Sequence, residues 1–225
     1  MSDQLKHECG IALVHLKKPL NYYNEKYGSH MYGIDKMFLM MEKQKNRGQD
    51  GAGFASLKLD LKPGDKYFFR VRSFDQQAIH SVFKKINKKI NQFLKSEKVS
   101  TNSEEFFNKA PFIGQVMLGH VRYGTYGKNS IEYVHPVMRQ NNWMNRNLIL
   151  AGNFNMTNND ELFESLVQLG QHPREQSDTI TIMENIGHFL DTEVILSYEK
   201  LKRKGINKAD TVSYTHLTLP TKRIV

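Results

Sequence analysis

The chain has 225 residues, with 32 Lys and Arg against 23 Asp and Glu and a formal net charge of +9. That length supports one sizeable hydrophobic core or two small domains. No stretch approaches the ~20 consecutive apolar residues of a membrane span, and the polar residues 1–8 lack the apolar centre of a secretory signal, so both are excluded.

Cys9 is the single cysteine, so its thiol enters no internal disulfide. A lone thiol without an export signal favours the cytoplasm. Cys9 opens an apolar, partly β-branched run, and residues 9–16 are predicted as a strand. Its thiol has two readings. One is a small core hydrophobe. The other is a nucleophile that becomes the first residue when the leader 1–8 is removed. The α-amine of such a cysteine titrates at roughly 7.7–8.0 and can take the thiol proton.

Residues 17–35 are rich in Tyr, Asn and Gly and read as an irregular insertion. Met37, Met40, Met41 and Gln44 recur at helical spacing, which predicts a helix over 36–45 with methionines as core filler. Residues 46–54 follow, with Gly48, Gly51 and Gly53 marking backbone that turns tightly or approaches something closely. Residues 55–61 and 67–71, joined through Pro63-Gly64-Asp65, read as a hairpin. Ile79, Val82, Phe83, Ile86, Ile90, Phe93 and Leu94 mark one face of a long helix, and its lysines fall largely on the solvated side. No interleaved aromatic or arginine pattern accompanies them, so nucleic-acid binding is not expected.

Residues 96–108 are polar and read as a surface connection. Residues 113–122 form a strand that ends in Gly119-His120-Val121-Arg122-Tyr123, with His135-Pro136 in the loop beyond. Residues 148–151 form a further buried strand running into Gly152-Asn153-Phe154-Asn155. Asn158 or Asn159 can cap a helix whose apolar face is Leu162, Phe163, Leu166 and Leu169, stopped by Gly170. Ser177-Asp178 caps another, with Ile182, Ile186 and Phe189 directed inward. One cysteine and scattered histidines predict no metal site.

Four segments stand in one order: Cys9-Gly10-Ile11, Arg47-Gly48-Gln49-Asp50-Gly51, Gly119-His120-Val121-Arg122-Tyr123, and Leu150 to Asn158 with Ser177-Asp178 after it. Over residues 9–191 this resembles the class II glutamine amidotransferase domain, an N-terminal-nucleophile hydrolase. The Arg-Gly-Gln-Asp form of the second segment is most similar to the amidophosphoribosyltransferase family of purine biosynthesis.

The resemblance implies an α+β fold, the αββα four-layer sandwich with two antiparallel sheets between helix layers. It also implies hydrolysis of glutamine to glutamate and ammonia through a Cys9 thioester, after release of the leader 1–8. Asn153 and the backbone N–H of Phe154 would bind the oxyanion. Arg122 would bind the substrate carboxylate and Asp178 its ammonium. Arg47 would hold the nucleophile, and Tyr123, Thr125 and Gly127 would line the pocket. The expected partners are glutamine and, through a phosphoribosyltransferase domain missing from these residues, phosphoribosyl pyrophosphate. No cofactor is expected in the fragment; Mg is expected only with that missing domain, and a homo-oligomer at full length.

Three features depart from the family pattern. Phe154 stands where the family usually has Gly, a substitution that strains the backbone if the position needs a positive φ. The insertion 17–35 lengthens the interval from Cys9 to Arg47. The phosphoribosyltransferase domain is missing, as a truncated gene would explain. Residues 212–225 resemble a translated sequencing adapter, so the natural sequence is expected to continue beyond Thr211. Two other readings are a class II amidotransferase with a different acceptor and a non-catalytic glutaminase-like binding domain.

Overall fold

The structure, a computed structural model, describes residues 8–59, 61–62, 64–124 and 130–205. The chain divides into two compact units. One comprises Met1–Pro136 with Ala151–Asn153, the other Val137–Leu150 with Phe154–Val225.

The first unit is built on a four-stranded antiparallel sheet. Its strands are β1 (Gly10–His15), β2 (Gly51–Leu57), β3 (Phe68–Ser73) and β4 (Val116–Arg122), in the order β1-β4-β2-β3. The predicted hairpin is the β2–β3 pair, with Phe54 opposite Val71. Side chains alternate between faces along each strand. One row, Ala12–Gly119–Phe54–Val71, lies on the face covered by helices. There Ala12 and Phe54 join Met37, Met41, Val82 and Ile86 in one buried cluster. The methionines come from α2 (Tyr32–Lys43), which packs on β1 and β4. Val82 and Ile86 come from α3 (Ala78–Glu97), which packs on β2 and β3. The adjacent row, Ile11–His120–Gly53–Arg72, points to the opposite face.

Two predicted irregular segments fold as helices. The insertion forms α1 (Leu20–Tyr27), and α2 begins at Tyr32 rather than at residue 36. No residue of α1 is buried. The ring of Tyr23 stacks on Tyr27 at 6.3 Å and on Tyr32 at 5.2 Å, while Tyr27 stacks on Tyr32 at 4.4 Å. Lys26 lies over the Tyr22 and Tyr27 rings. Aromatic pairs at i,i+4 support a helix without an apolar stripe, so hydrophobic periodicity does not reveal it. The polar connection contains α4 (Glu104–Lys109). The Ser103 hydroxyl accepts the Phe106 N–H at 3.1 Å, and Phe106 and Phe107 are buried. The far end of this helix is met by Lys58, which is 3% exposed. Its ammonium donates to the carbonyls of Phe107 at 2.7 Å and Asn108 at 2.8 Å. Burial lowers the Lys58 pKa to about 7.

The second unit holds the antiparallel pair β5 (Val137–Arg139) and β6 (Leu148–Leu150) with helices α5 (Asn159–Gln168) and α6 (Asp178–Arg203). Helix α6 packs on both strands and on α5. Ser177 caps it, accepting the Ile180 N–H at 3.4 Å. Asn158 precedes α5 but makes no side-chain cap bond there.

The inward face of α6 differs from the predicted one. Ile186 is exposed and Phe189 is 67% exposed, while Met183, Gly187 and Val194 are buried. The reason is an ion cluster. Arg139 of β5 donates to Glu184 at 3.0 Å and to Asp191 at 2.6 Å. Glu184, Gly187 and Asp191 are spaced i, i+3, i+7, so this cluster selects the stripe that meets the sheet. Leu169, placed on the inward face of α5 by its period, is also exposed, beyond the last helical residue. The architecture is thus α+β, with antiparallel sheets and helices.

Candidate active site

Cys9 immediately precedes β1, one residue before the Gly10–Val121 pair. That position sets its half-buried sulfur against the end of β4. The Tyr123 N–H donates to Cys9 Sγ at 3.4 Å, and the thiol lies 3.8 Å from the Tyr123 carbonyl. This contact brings together two predicted site residues separated by 114 positions.

The Arg-Gly-Gln-Asp segment closes around the same strand end. The Asp50 N–H donates to the Arg122 carbonyl at 3.0 Å, and the Asp50 carboxylate accepts the Gly124 N–H at 2.7 Å. Asp50 therefore clamps both sides of Tyr123. It stands in the quoted motif, yet composition and spacing alone give it no role. Gly48 permits the approach: a Cβ there would stand 2.6 Å from the Arg122 carbonyl carbon. Arg47, just before it, pairs with Glu8 at 3.1 Å, with both side chains more than half exposed. Arg122 is 6% exposed and its guanidinium lies 5.9 Å from the centre of the Tyr133 ring. Cys9, Arg47, Arg122 and Tyr123 are thus gathered at one end of β4. Thr125 and Gly127 lie outside the described residues.

The unit also contains a buried histidine pair, His120 on β4 and His135, with ring centroids 4.6 Å apart. Burial is the main cause that lowers both pKa values, to about 3 for His120 and about 4 for His135, so both rings are neutral near pH 7. His135 Nδ1 accepts the Gly152 N–H at 3.3 Å. Gly152 is buried and the next side chain, Asn153, is exposed.

In the second unit, Phe154 is half-buried. Among the described residues, Lys98 and Phe112 are the non-glycine positions with positive φ. Phe154 therefore avoids the left-handed region, and the strain expected from replacing Gly does not arise. Asp178 opens α6, and its carboxylate accepts the Met156 N–H at 2.9 Å. Among the described residues no cluster of three or more His, Cys, Asp or Glu is placed to hold a metal ion. No helix among them is long and apolar enough to cross a membrane.

The site thus combines a free thiol that meets a backbone amide donor with a buried Arg122 on the adjoining strand. No family model matches the chain. An amidophosphoribosyltransferase of Lacticaseibacillus casei is 29% identical over 139 residues, which are 62% of this chain and 56% of that relative. The chain thus spans little more than half the length of the curated relative it matches. The resemblance to amidophosphoribosyltransferases carried by the four motifs is borne out by this relative. Two solved structures also match. One is a glutamine phosphoribosylpyrophosphate amidotransferase from B. subtilis complexed with ADP and GMP, at 19% identity and a TM-score of 0.45. The other is described as the allosteric regulatory enzyme of purine biosynthesis, at 21% identity and a TM-score of 0.43. Each covers 93% of this chain and 32% of its own.

Proposed function

We propose that this chain is the glutamine-hydrolysing part of an amidophosphoribosyltransferase, with Cys9 as nucleophile. The observation that carries this reading is the Tyr123 N–H donating to Cys9 Sγ at the end of the strand that holds Arg122. Removal of residues 1–8 at the Glu8–Cys9 bond frees the α-amine as the base. The thiolate attacks the side-chain amide carbon of glutamine, ammonia leaves, and water hydrolyses the thioester to glutamate. Asn153 supplies an oxyanion donor. By resemblance, the Phe154 N–H supplies the second donor and Asp178 binds the ammonium. Arg122 binds the substrate carboxylate, Arg47 braces the nucleophile, and Tyr123, Thr125 and Gly127 belong to the pocket loop. The fold proposed for the complete domain is the αββα sandwich. Transfer of the ammonia to phosphoribosyl pyrophosphate belongs to a phosphoribosyltransferase domain.

The test is glutamate release from glutamine by the purified chain, combined with intact-mass measurement. Active protein should begin at Cys9, and Cys9→Ala should abolish release while leaving the thermal unfolding temperature within a few degrees. Full activity in Cys9→Ala, or in protein that still carries the leader, removes the N-terminal-nucleophile mechanism.

A further inference from the structure

We infer that His135 is a positioning residue for Asn153, acting through the backbone of Gly152, with His120 as the buried wall that fixes the His135 ring. The inference rests on the reading of Asn153 as an oxyanion donor. Four observations lead to it.

The first is the bond itself. His135 Nδ1 accepts the Gly152 N–H at 3.3 Å, across 17 positions of sequence, one residue before Asn153. A buried N–H held by a buried acceptor fixes the peptide plane, and that plane sets the direction of the following Cα. The second is burial. His135 is 8% exposed and Gly152 is buried, while Asn153 reaches solvent. The pinned backbone thus displays an accessible amide side chain.

The third is the support behind His135. Gly53 of β2 faces the His135 carbonyl so closely that any Cβ at position 53 would collide with it. The main chain of His135 is therefore seated against the central sheet. Its ring meets His120, which lies in the same cross-strand row as Gly53. His120 is 1% exposed, and neither of its ring nitrogens has a hydrogen-bond partner among the described residues. The Gly152 N–H acts on both rings, but it meets bonding distance and angle at His135. Without a bond of its own, His120 contributes shape here.

The fourth is protonation. Nδ1 accepts only while it carries no proton, so His135 must be the Nε2–H tautomer. The groups acting on it are His120 and Arg122 from β4 and Arg72 from β3. The two arginines disfavour a second positive charge, as does burial. The acceptor therefore remains available across the neutral range.

The experiment uses the full 225-residue chain and its variants His135→Phe and His135→Asn. Phe keeps an aromatic ring without an acceptor; the Asn side-chain oxygen can stand near the place of Nδ1. Amide hydrogen exchange at Gly152 reports the bond independently of activity. The wild type should protect this amide. His135→Phe should accelerate its exchange and lower kcat for glutamine roughly 10-fold or more, with KM little changed, because a misplaced oxyanion donor acts on the transition state. His135→Asn should restore both. Alkylation of Cys9 by iodoacetamide should proceed alike in all three. If the variants do not fold, 15N-histidine NMR of the wild type decides: His135 should show Nδ1 unprotonated and Nε2 protonated. An Nδ1–H tautomer, an unprotected Gly152 in an active wild type, or an unchanged kcat in folded His135→Phe overturns the inference. A wild type that protects Gly152 but does not hydrolyse glutamine refutes the glutaminase reading, and the catalytic part of this inference with it.

Discussion

Replacing Gly48 by Ala tests whether the surroundings of Cys9 depend on close backbone packing. Gly48 has φ −155° and ψ 119°, an extended conformation open to any residue. Backbone strain therefore plays no part. In the absence of a clash, Gly→Ala stabilises by about 0.4–1 kcal/mol, because the unfolded chain loses freedom. The added Cβ, however, would stand 2.6 Å from the Arg122 carbonyl carbon, 2.7 Å from its oxygen and 2.8 Å from the Val121 carbonyl carbon. Reaching ordinary contact at 3.4 Å from the nearest of these requires a shift of about 0.8 Å. Strand β4 cannot easily yield, since it is hydrogen-bonded to β1 on one side and β2 on the other. The turn that carries Arg47 must move instead. Overpacking of this kind costs about 1–3 kcal/mol, leaving a net loss of roughly 1–2 kcal/mol after the entropic gain. For a chain of this length that lowers Tm by about 2–8 °C. Circular dichroism melts at fixed pH and scan rate measure the shift, and the rate of Cys9 alkylation reports the local displacement. A Tm equal to or above that of the wild type would refute the packing argument, because only the clash reverses the sign.

Arg139→Met leaves Glu184 and Asp191 without their shared cation in a partly buried cluster. The expected loss is about 2–4 kcal/mol by urea denaturation, and a loss under about 0.5 kcal/mol would show that the ion cluster does not anchor α6. Stability should also fall in acid. His120 and His135 have folded pKa values of about 3 and 4 against an ordinary 6.5. The unfolded chain therefore binds more protons between pH 6.5 and 4, and stability is full above that window and lost as pH falls through it. The pair should account for about 4 kcal/mol between pH 7 and 5. Urea midpoints across that range measure it, His120→Leu should roughly halve the slope, and a slope of opposite sign contradicts the burial argument. Arg122→Lys should raise the glutamine KM with a smaller effect on kcat, since an ammonium cannot reproduce a bidentate fork. An unchanged KM removes Arg122 from substrate binding.

The strand that follows Cys9, the long helix α3, the hairpin and the Ser177 cap were legible in the sequence because each rests on local spacing. A period of two, a period of about 3.6 and a hydroxyl three residues before an orphan amide are short-range rules. The order of four motifs made Cys9, Asp50, Arg122 and Tyr123, which the fold gathers at one strand end, legible as parts of one set. Helices α1 and α4 were not, because stacked tyrosines hold one and two phenylalanines with a Ser103 cap hold the other, and neither leaves a long apolar stripe. Helix α6 carries apolar residues on more than one side, and periodicity cannot choose between them; the ion cluster on Arg139, 45 and 52 positions away, makes that choice. The same holds at the candidate site. The Asp50 clamp on Gly124 spans 74 positions, and the Tyr123 donor reaches Cys9 across 114. Residue types and their spacing determine what chemistry the chain can offer, but only the antiparallel pairing of β1 with β4 and of β4 with β2 brings these groups to one strand end.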